Sequence, residues 1–140
     1  MKLLLDVDVL LDVLADRKEF TETSGQVLSL VEQGKLDGWI AAHTVTTLHY
    51  LLGREVGARK ARGVVSGLLS ILRVAPVDHD RLREALDSPM KDFEDAVQAS
   101  CARAVGARFL VTRNLKDFKK AEIPIASPTE LLAALAATDG

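Results

Sequence analysis

The chain has a single cysteine among its 140 residues. It can form no internal disulfide, and a lone thiol fits a reducing, cytoplasmic setting. No uncharged apolar run approaches the length that spans a bilayer. Asp6 and Asp8 interrupt the apolar N-terminus, so no signal peptide is expected. Positive charge is not in excess: 18 Lys and Arg against 20 Asp and Glu leave a net charge of −2, with no global basic field to draw in nucleic acid. The three histidines, His43, His49 and His79, stand at no metal-ligand spacing, and none is given a catalytic role. Repeats, low-complexity stretches and linkers are missing, so residues 1–140 are read as one domain, long enough to bury a core.

What the sequence does have is acid at the ends of its apolar segments. Leu3-Leu4-Leu5 stops on Asp6-Val7-Asp8, Asp92-Phe93-Glu94-Asp95 opens a helical stretch, and Asn114-Leu115-Lys116-Asp117 follows Phe109-Leu110-Val111. A parallel sheet gathers the C-terminal ends of its strands at one edge, where ligands bind. Carboxylates gathered there repel one another unless a cation lies between them. Hard oxygen donors suit Mg²⁺ or Mn²⁺. The pattern points to a divalent-metal site.

Lys2 to Leu5 is apolar without alternation, as a strand covered on both faces should be. Helices are expected from about Val9 to Ala15 and from Thr21 to Gln33, the second ended by Gly34. Asp37-Gly38 reads as a turn into the strand Trp39–Ala42. Further helices are expected over Thr44–Leu52, stopped near Gly53, and over Ala58–Leu72. Arg73–Val77 reads as a strand, at an edge because of Pro76. Helices over Asp78–Leu86 and Asp92–Val105 follow, with Gly106 ending the second. Strands are expected over Arg108–Val111 and Ile123–Ile125. Ser127-Pro128-Thr129-Glu130 has the cap, proline and glutamate of a helix start. Strands alternating with helices predict an α/β fold, a three-layer α/β/α sandwich around a mainly parallel sheet.

Asp6, directly after the first strand, is the foremost candidate ligand, while Asp8 is the better placed of the two to cap the following helix. Asp92 and Asp95 share a helix face, yet acids in a first turn also serve as cap and dipole partners. Asn114 and Asp117 taken singly are ordinary turn chemistry. The weight lies in the three placements together. Cys101 falls at helical spacing with Phe93, Ala96, Val97, Ser100 and Ala104, which makes it a packed thiol rather than a nucleophile. Arg54, Arg59, Lys60 and Arg62 form a local basic run, in the ordinary case a solvated helix face, with Arg54 a weak candidate for a phosphate backbone.

These strings, in this order and spacing from about residue 2 to residue 135, resemble PIN-domain ribonucleases of the kind found as VapC-type toxins in toxin–antitoxin pairs. The carriers are Leu4-Leu5-Asp6-Val7-Asp8-Val9-Leu10-Leu11-Asp12, Asp92-Phe93-Glu94-Asp95-Ala96, Val111-Thr112-Arg113-Asn114-Leu115-Lys116-Asp117-Phe118 and Ile123-Pro124-Ile125-Ala126-Ser127-Pro128. The resemblance implies that Asp6, Asp95 and the Asn114/Asp117 loop hold one or two Mg²⁺ or Mn²⁺ ions for attack of water on an RNA phosphodiester. Asp92, Asp117 and Asp8 join as ligands or supporting acids, with Thr112 and Asn114 orienting by hydrogen bonds. Arg113, Lys116, Lys119 and Lys120 flank the acids and are candidates for contacting RNA. A homodimer and a small antitoxin partner are implied by the resemblance alone.

Two departures stand out. Val7-Asp8 replaces the family's usual Thr-Asn, and Thr47 occupies a helix position where members commonly carry an acid. The second motivates an alternative, a degenerate domain that binds RNA or a partner without cutting. Asp6-Val7-Asp8-Val9 also matches the nucleophile string of haloacid-dehalogenase phosphatases, with Asp6 as the phospho-acceptor. Last comes a structural α/β domain whose acids are only caps, which needs three coincident placements.

Overall fold

A computed structural model describes residues 1–15 and 17–139. Its strands are β1 (Lys2–Leu5), β2 (Asp37–Ala41), β3 (Arg73–Ala75), β4 (Phe109–Val111) and β5 (Ile125–Ala126). They form one sheet in the order β3-β2-β1-β4-β5, every pair parallel. The helices are α1 (Val7–Leu14), α2 (Thr21–Glu32), α3 (Ala42–Val56), α4 (Ala58–Leu69), α5 (His79–Leu86), α6 (Phe93–Val105) and α7 (Pro128–Asp139), with a 3-10 turn at Leu115–Phe118.

Successive strand side chains point to opposite faces, and β1 shows what covers each. Leu3 and Leu5 pack with Val9 and Leu10 of α1, Val27 and Val31 of α2, Leu48 and Leu52 of α3, Leu68 of α4 and Leu131 of α7. Leu4 packs on the other side with Ala85 of α5, with Ala96, Val97 and Cys101 of α6, and with Phe118. The expected three-layer sandwich is the one observed. β3 lies at the sheet edge, as Pro76 foretells. Among the described residues no helix is long and apolar enough to cross a membrane.

Several boundaries differ from the sequence reading. Asp37 and Gly38 belong to β2 rather than to a turn. A Cβ on Gly38 would stand 2.8 Å from both Leu72 Cδ2 and Val31 Cγ1, so glycine is there for close approach. Helix α3 runs through Gly53 to Val56 and stops at Gly57, whose φ of 89° no other residue type adopts readily. Helix α4 ends at Leu69, with Leu72 buried beyond it. Pro124 has no N–H for the ladder, but its carbonyl accepts from Leu110, and the paired strand starts only at Ile125. Phe93, expected beside Cys101, is 47% exposed. Ser127 and Glu130 form the reciprocal capping box that opens α7.

Candidate active site

Strand order reverses between β1 and β4: the chain proceeds outward through β2 and β3, then returns to place β4 and β5 on the other side. Such a switch leaves a crevice beyond the strands' C-terminal ends. Asp6 follows β1 and Thr112 follows β4, and the Asp6 N–H bonds the Val111 carbonyl at 2.9 Å. Helix α6 leads back into the parallel strand β4, so its N-terminus, with Asp92 and Asp95, lies at this same edge. The 3-10 turn carrying Asp117 leaves β4 there too.

Asp6 is buried and held by three donors. Its Oδ1 accepts from the Val7 N–H at 2.7 Å and from Gln98 Nε2 at 3.0 Å, and its Oδ2 accepts from the Thr112 hydroxyl at 2.8 Å. A carboxylate offers about four lone-pair directions, so one remains. Asp6, not Asp8, is the cap of α1, which corrects the sequence reading. The helix begins immediately after β1, and the extended backbone of Asp6 (φ −74°, ψ 157°) is the only cap position available.

Asp8 instead lies in the first turn of α1, 7% exposed, where its Oδ2 accepts from the Arg113 N–H at 3.1 Å and faces the Thr112 hydroxyl at 3.3 Å. Its Oδ1 has no partner among the described residues. Burial, then the Asp6 charge, pushes Asp8 up to about 6, against the lowering pull of the Arg113 N–H and guanidinium. Asp8 is therefore held against Thr112 and the Arg113 N–H rather than opening towards solvent.

Asp92 is the cap of α6, accepting from the Asp95 N–H at 2.9 Å. Among the described residues no return bond ties up the Asp95 side chain. Asp95 and Gln98 are three apart on one helix face, and Gln98 touches Asp6, so Asp95 looks towards Asp6. Burial, then the charges of Asp92, Asp6, Asp117 and Glu94, push Asp95 up to about 7. An open pocket of about 370 Å³ sits here, lined by Asp92, Asp95 and Asp117 and by Lys91, Lys116, Lys119 and Lys120. Among the described residues no three acid, histidine or cysteine side chains close into a preformed metal cage. The acids ring the pocket instead. Asn114 is exposed, its N–H bonded to Thr112 Oγ1 at 3.0 Å, and its side chain makes no cap bond.

Two expected RNA contacts are placed elsewhere. Arg113 Nε pairs at 2.8 Å with Asp12, a carboxylate with no exposed surface, and its guanidinium lies 3.9 Å from the Phe20 ring centre. Asp12 also accepts from Ser24 at 2.9 Å. Arg113 neutralises a buried acid through its Nε. Arg54 lies at the far end of α3, beside Leu11, Arg17 and Leu51, roughly 18 Å along the helix axis from Ala42 at about 1.5 Å per residue. Lys116 does line the acidic pocket. Cys101 is buried, donates to the Pro76 carbonyl at 3.6 Å, and is pushed up to about 11 by burial, so it stays a thiol.

Sequence reasoning overlooked Gln98 and Glu94. Gln98 had a signal, since it lies one turn beyond Asp95 on a face otherwise filled by small and apolar residues. Glu94 had none: its Oε1 accepts from Thr47 of α3 at 3.0 Å, a neighbour visible only in the folded chain.

Known proteins resemble the chain in sequence and in fold. Ribonuclease VapC1 of Aquifex aeolicus (strain VF5) is 25% identical over 134 residues, covering 92% of each chain. The fold matches VapBC2 from Rickettsia felis, solved bound to a DNA fragment from its promoter, with a TM-score of 0.71 and 17% identity over 91% of this chain and 98% of that one. It also matches a toxin–antitoxin complex from Klebsiella pneumoniae, with a TM-score of 0.67 and 20% identity over 89% and 96%. The family model for the PIN domain matches residues 2–116, and the chain belongs to the PIN domain family.

Proposed function

We propose that this chain is a divalent-metal-dependent endoribonuclease, the toxin of a toxin–antitoxin pair. The observation that carries the reading is the Gln98 hydrogen bond to Asp6, which ties the helix bearing Asp95 to the carboxylate after β1, with the Asp6 charge among those felt at Asp95. PIN-domain membership and the ribonuclease named among its relatives supply the reaction class.

The donor set fits Mg²⁺ or Mn²⁺. All the groups are hard oxygens, one Asp6 lone pair is left over, and Asp95 is pushed towards its protonated form by burial and then by its neighbours' charges. Mg²⁺ keeps several waters and uses few protein carboxylates, so an open ring of acids suits it better than a closed cage would. The ion, when bound, would neutralise charge on the phosphodiester and acidify the attacking water.

The residues themselves divide the work. Thr112, Gln98 and the Val7 N–H fix the Asp6 carboxylate. Asp95 of α6 and Asp117 of the 3-10 turn would hold the ion, and Asp92 keeps the first turn of α6 in place. Asn114, exposed just before the 3-10 turn that carries Asp117, would orient water or substrate by hydrogen bonds. Lys91, Lys116, Lys119 and Lys120 give an acidic site a cationic rim, able to receive the phosphates on either side of the cut.

The phosphatase alternative needs Asp8 as a mobile acid beside Asp6, and Asp8 is buried and held by Thr112 and the Arg113 N–H. A small antitoxin and a second copy of the chain are its proposed protein partners. RNA cleavage is to be compared in Mg²⁺, in Mn²⁺ and with chelator for the parent, Asp6→Asn and Asp95→Asn. Cleavage is expected from the parent with metal only. Equal cleavage by all three proteins would remove this site from the chemistry.

A further inference from the structure

Helix α3 begins directly after β2 and faces the first turn of α6 at the crevice edge. Its contribution there is neutral: position 47 is threonine. A glutamate in the first turn of a helix is by default a solvated residue favoured by the helix dipole, and Glu94 is exposed. Here two contacts from α3 fix it. His43 Nε2 lies 3.0 Å from the Glu94 carbonyl oxygen, and the Thr47 hydroxyl donates to Glu94 Oε1 at 3.0 Å.

The second contact is easily given up. A hydroxyl has one proton to donate, and Thr47 Oγ1 has another acceptor within reach, the His43 carbonyl one turn back, at 3.2 Å. If Glu94 leaves, Thr47 turns to that carbonyl and no polar group is orphaned. Glu94 is thus held on a contact that can be exchanged at little loss, close enough to Asp95 for its charge to be felt there.

We infer that Glu94, parked on Thr47, supplies a further carboxylate to the proposed metal site, so that α6 provides the acid that α3 does not. The inference rests on the metal-dependent reading above. It also answers the reading of a degenerate domain: the hydroxyl at position 47 holds an acid in place of being one. Thr47 is a positioning residue on this view, and Glu94 a carboxylate that would exchange the Thr47 hydroxyl for the cation.

The test is Mn²⁺ binding to the full chain, followed by calorimetry and by the electron paramagnetic resonance of the ion, so that the readout does not depend on cleavage. Glu94→Gln is expected to weaken Mn²⁺ binding about tenfold, the lower end of what loss of a supporting ligand does to a metal site, without changing Tm in chelator. Thr47→Glu in the Glu94→Gln background is expected to recover much of the affinity, because it returns a carboxylate to the same space from α3. Asp95→Asn serves as the reference. If Glu94→Gln binds Mn²⁺ as tightly as the parent while Asp95→Asn does not, Glu94 has no part in the site and the metal reading stands. If neither substitution weakens binding, the metal site itself is misplaced, and the role of Glu94 falls with it.

Discussion

Gln98 reaches Asp6 across 3.0 Å through its Nε2, while its own Oε1 is buried with no partner among the described residues. The amide is oriented entirely by what it donates. Gln98→Leu removes a donor to a buried carboxylate, a bond of about 1.5–3 kcal/mol, but also relieves the unsatisfied oxygen. A net destabilisation of about 1 kcal/mol is expected on that balance, with a much larger loss of RNA cleavage because Asp6 is no longer fixed. Urea unfolding and a cleavage assay separate the two effects. Unchanged cleavage would mean that Thr112 and the Val7 N–H suffice to hold Asp6.

The raised Asp95 links stability to pH. Its folded-state value of about 7 lies above the ordinary 3.8, so between those values the folded chain keeps a proton that the unfolded chain has released. Stability of the metal-free protein is therefore lost as pH rises through this window, and levels off above it. Asp95→Asn, which cannot ionise, should melt higher than the parent in chelator at and above pH 7, with the advantage fading towards pH 4. Added Mg²⁺ should reverse the order, since only the parent binds it well. A variant that melts lower than the parent in chelator at neutral pH would contradict the placement of Asp95 among like charges.

Arg113 and Asp12 form a pair with one fully buried member. Removing the cation leaves an uncompensated interior charge, which typically costs about 3–5 kcal/mol. Arg113→Met is expected near the lower figure, because its side chain keeps some exposure. Asp12→Asn combined with Arg113→Met should recover part of the loss in chemical unfolding. Should Arg113→Met prove as stable as the parent yet bind RNA poorly, the residue is a substrate contact after all.

The lysine rim makes a prediction about salt. In an Asp95→Asn background, log affinity for single-stranded RNA should fall with log salt, and each lysine that meets a phosphate should contribute about 0.7 to the slope. Replacing Lys116, Lys119 and Lys120 together by alanine should flatten it by up to roughly 2 on the same basis. Arg54→Ala should leave the slope unchanged. The reverse ranking would move the RNA path to the far end of α3.

Features legible in the sequence were those with a local cause. The run Leu3-Leu4-Leu5 announces a strand covered on both faces, Pro76 an edge, Gly106 a left-handed helix end, and Ser127 with Glu130 a helix start. All four act within a few residues of themselves. Gly38 misled because its reason for being glycine is the approach of Leu72 and Val31, which nothing nearby in sequence reveals. Asp6 and Asp8 were separated into ligand and cap, yet a carboxylate has lone pairs enough for both, and Asp6 caps α1 while facing the crevice. Arg113 looked available because its partner, Asp12, is distant along the chain. Glu94 looked like a surface acid because Thr47 lies on another helix.

The centre of the sheet is assembled from the two extremes of the chain. β1 lies between β2 and β4, so Asp6 gains Thr112 only once β4 has been synthesised. A polypeptide still emerging from the ribosome and halted before β4 pairs β1 with β2 alone and leaves Asp6 without the Thr112 hydroxyl on its Oδ2. On the proposed reading, destructive capacity therefore arrives only after β4 and the turn carrying Asp117 have been made, and a fragment truncated before Phe109 should be harmless to the cell that makes it.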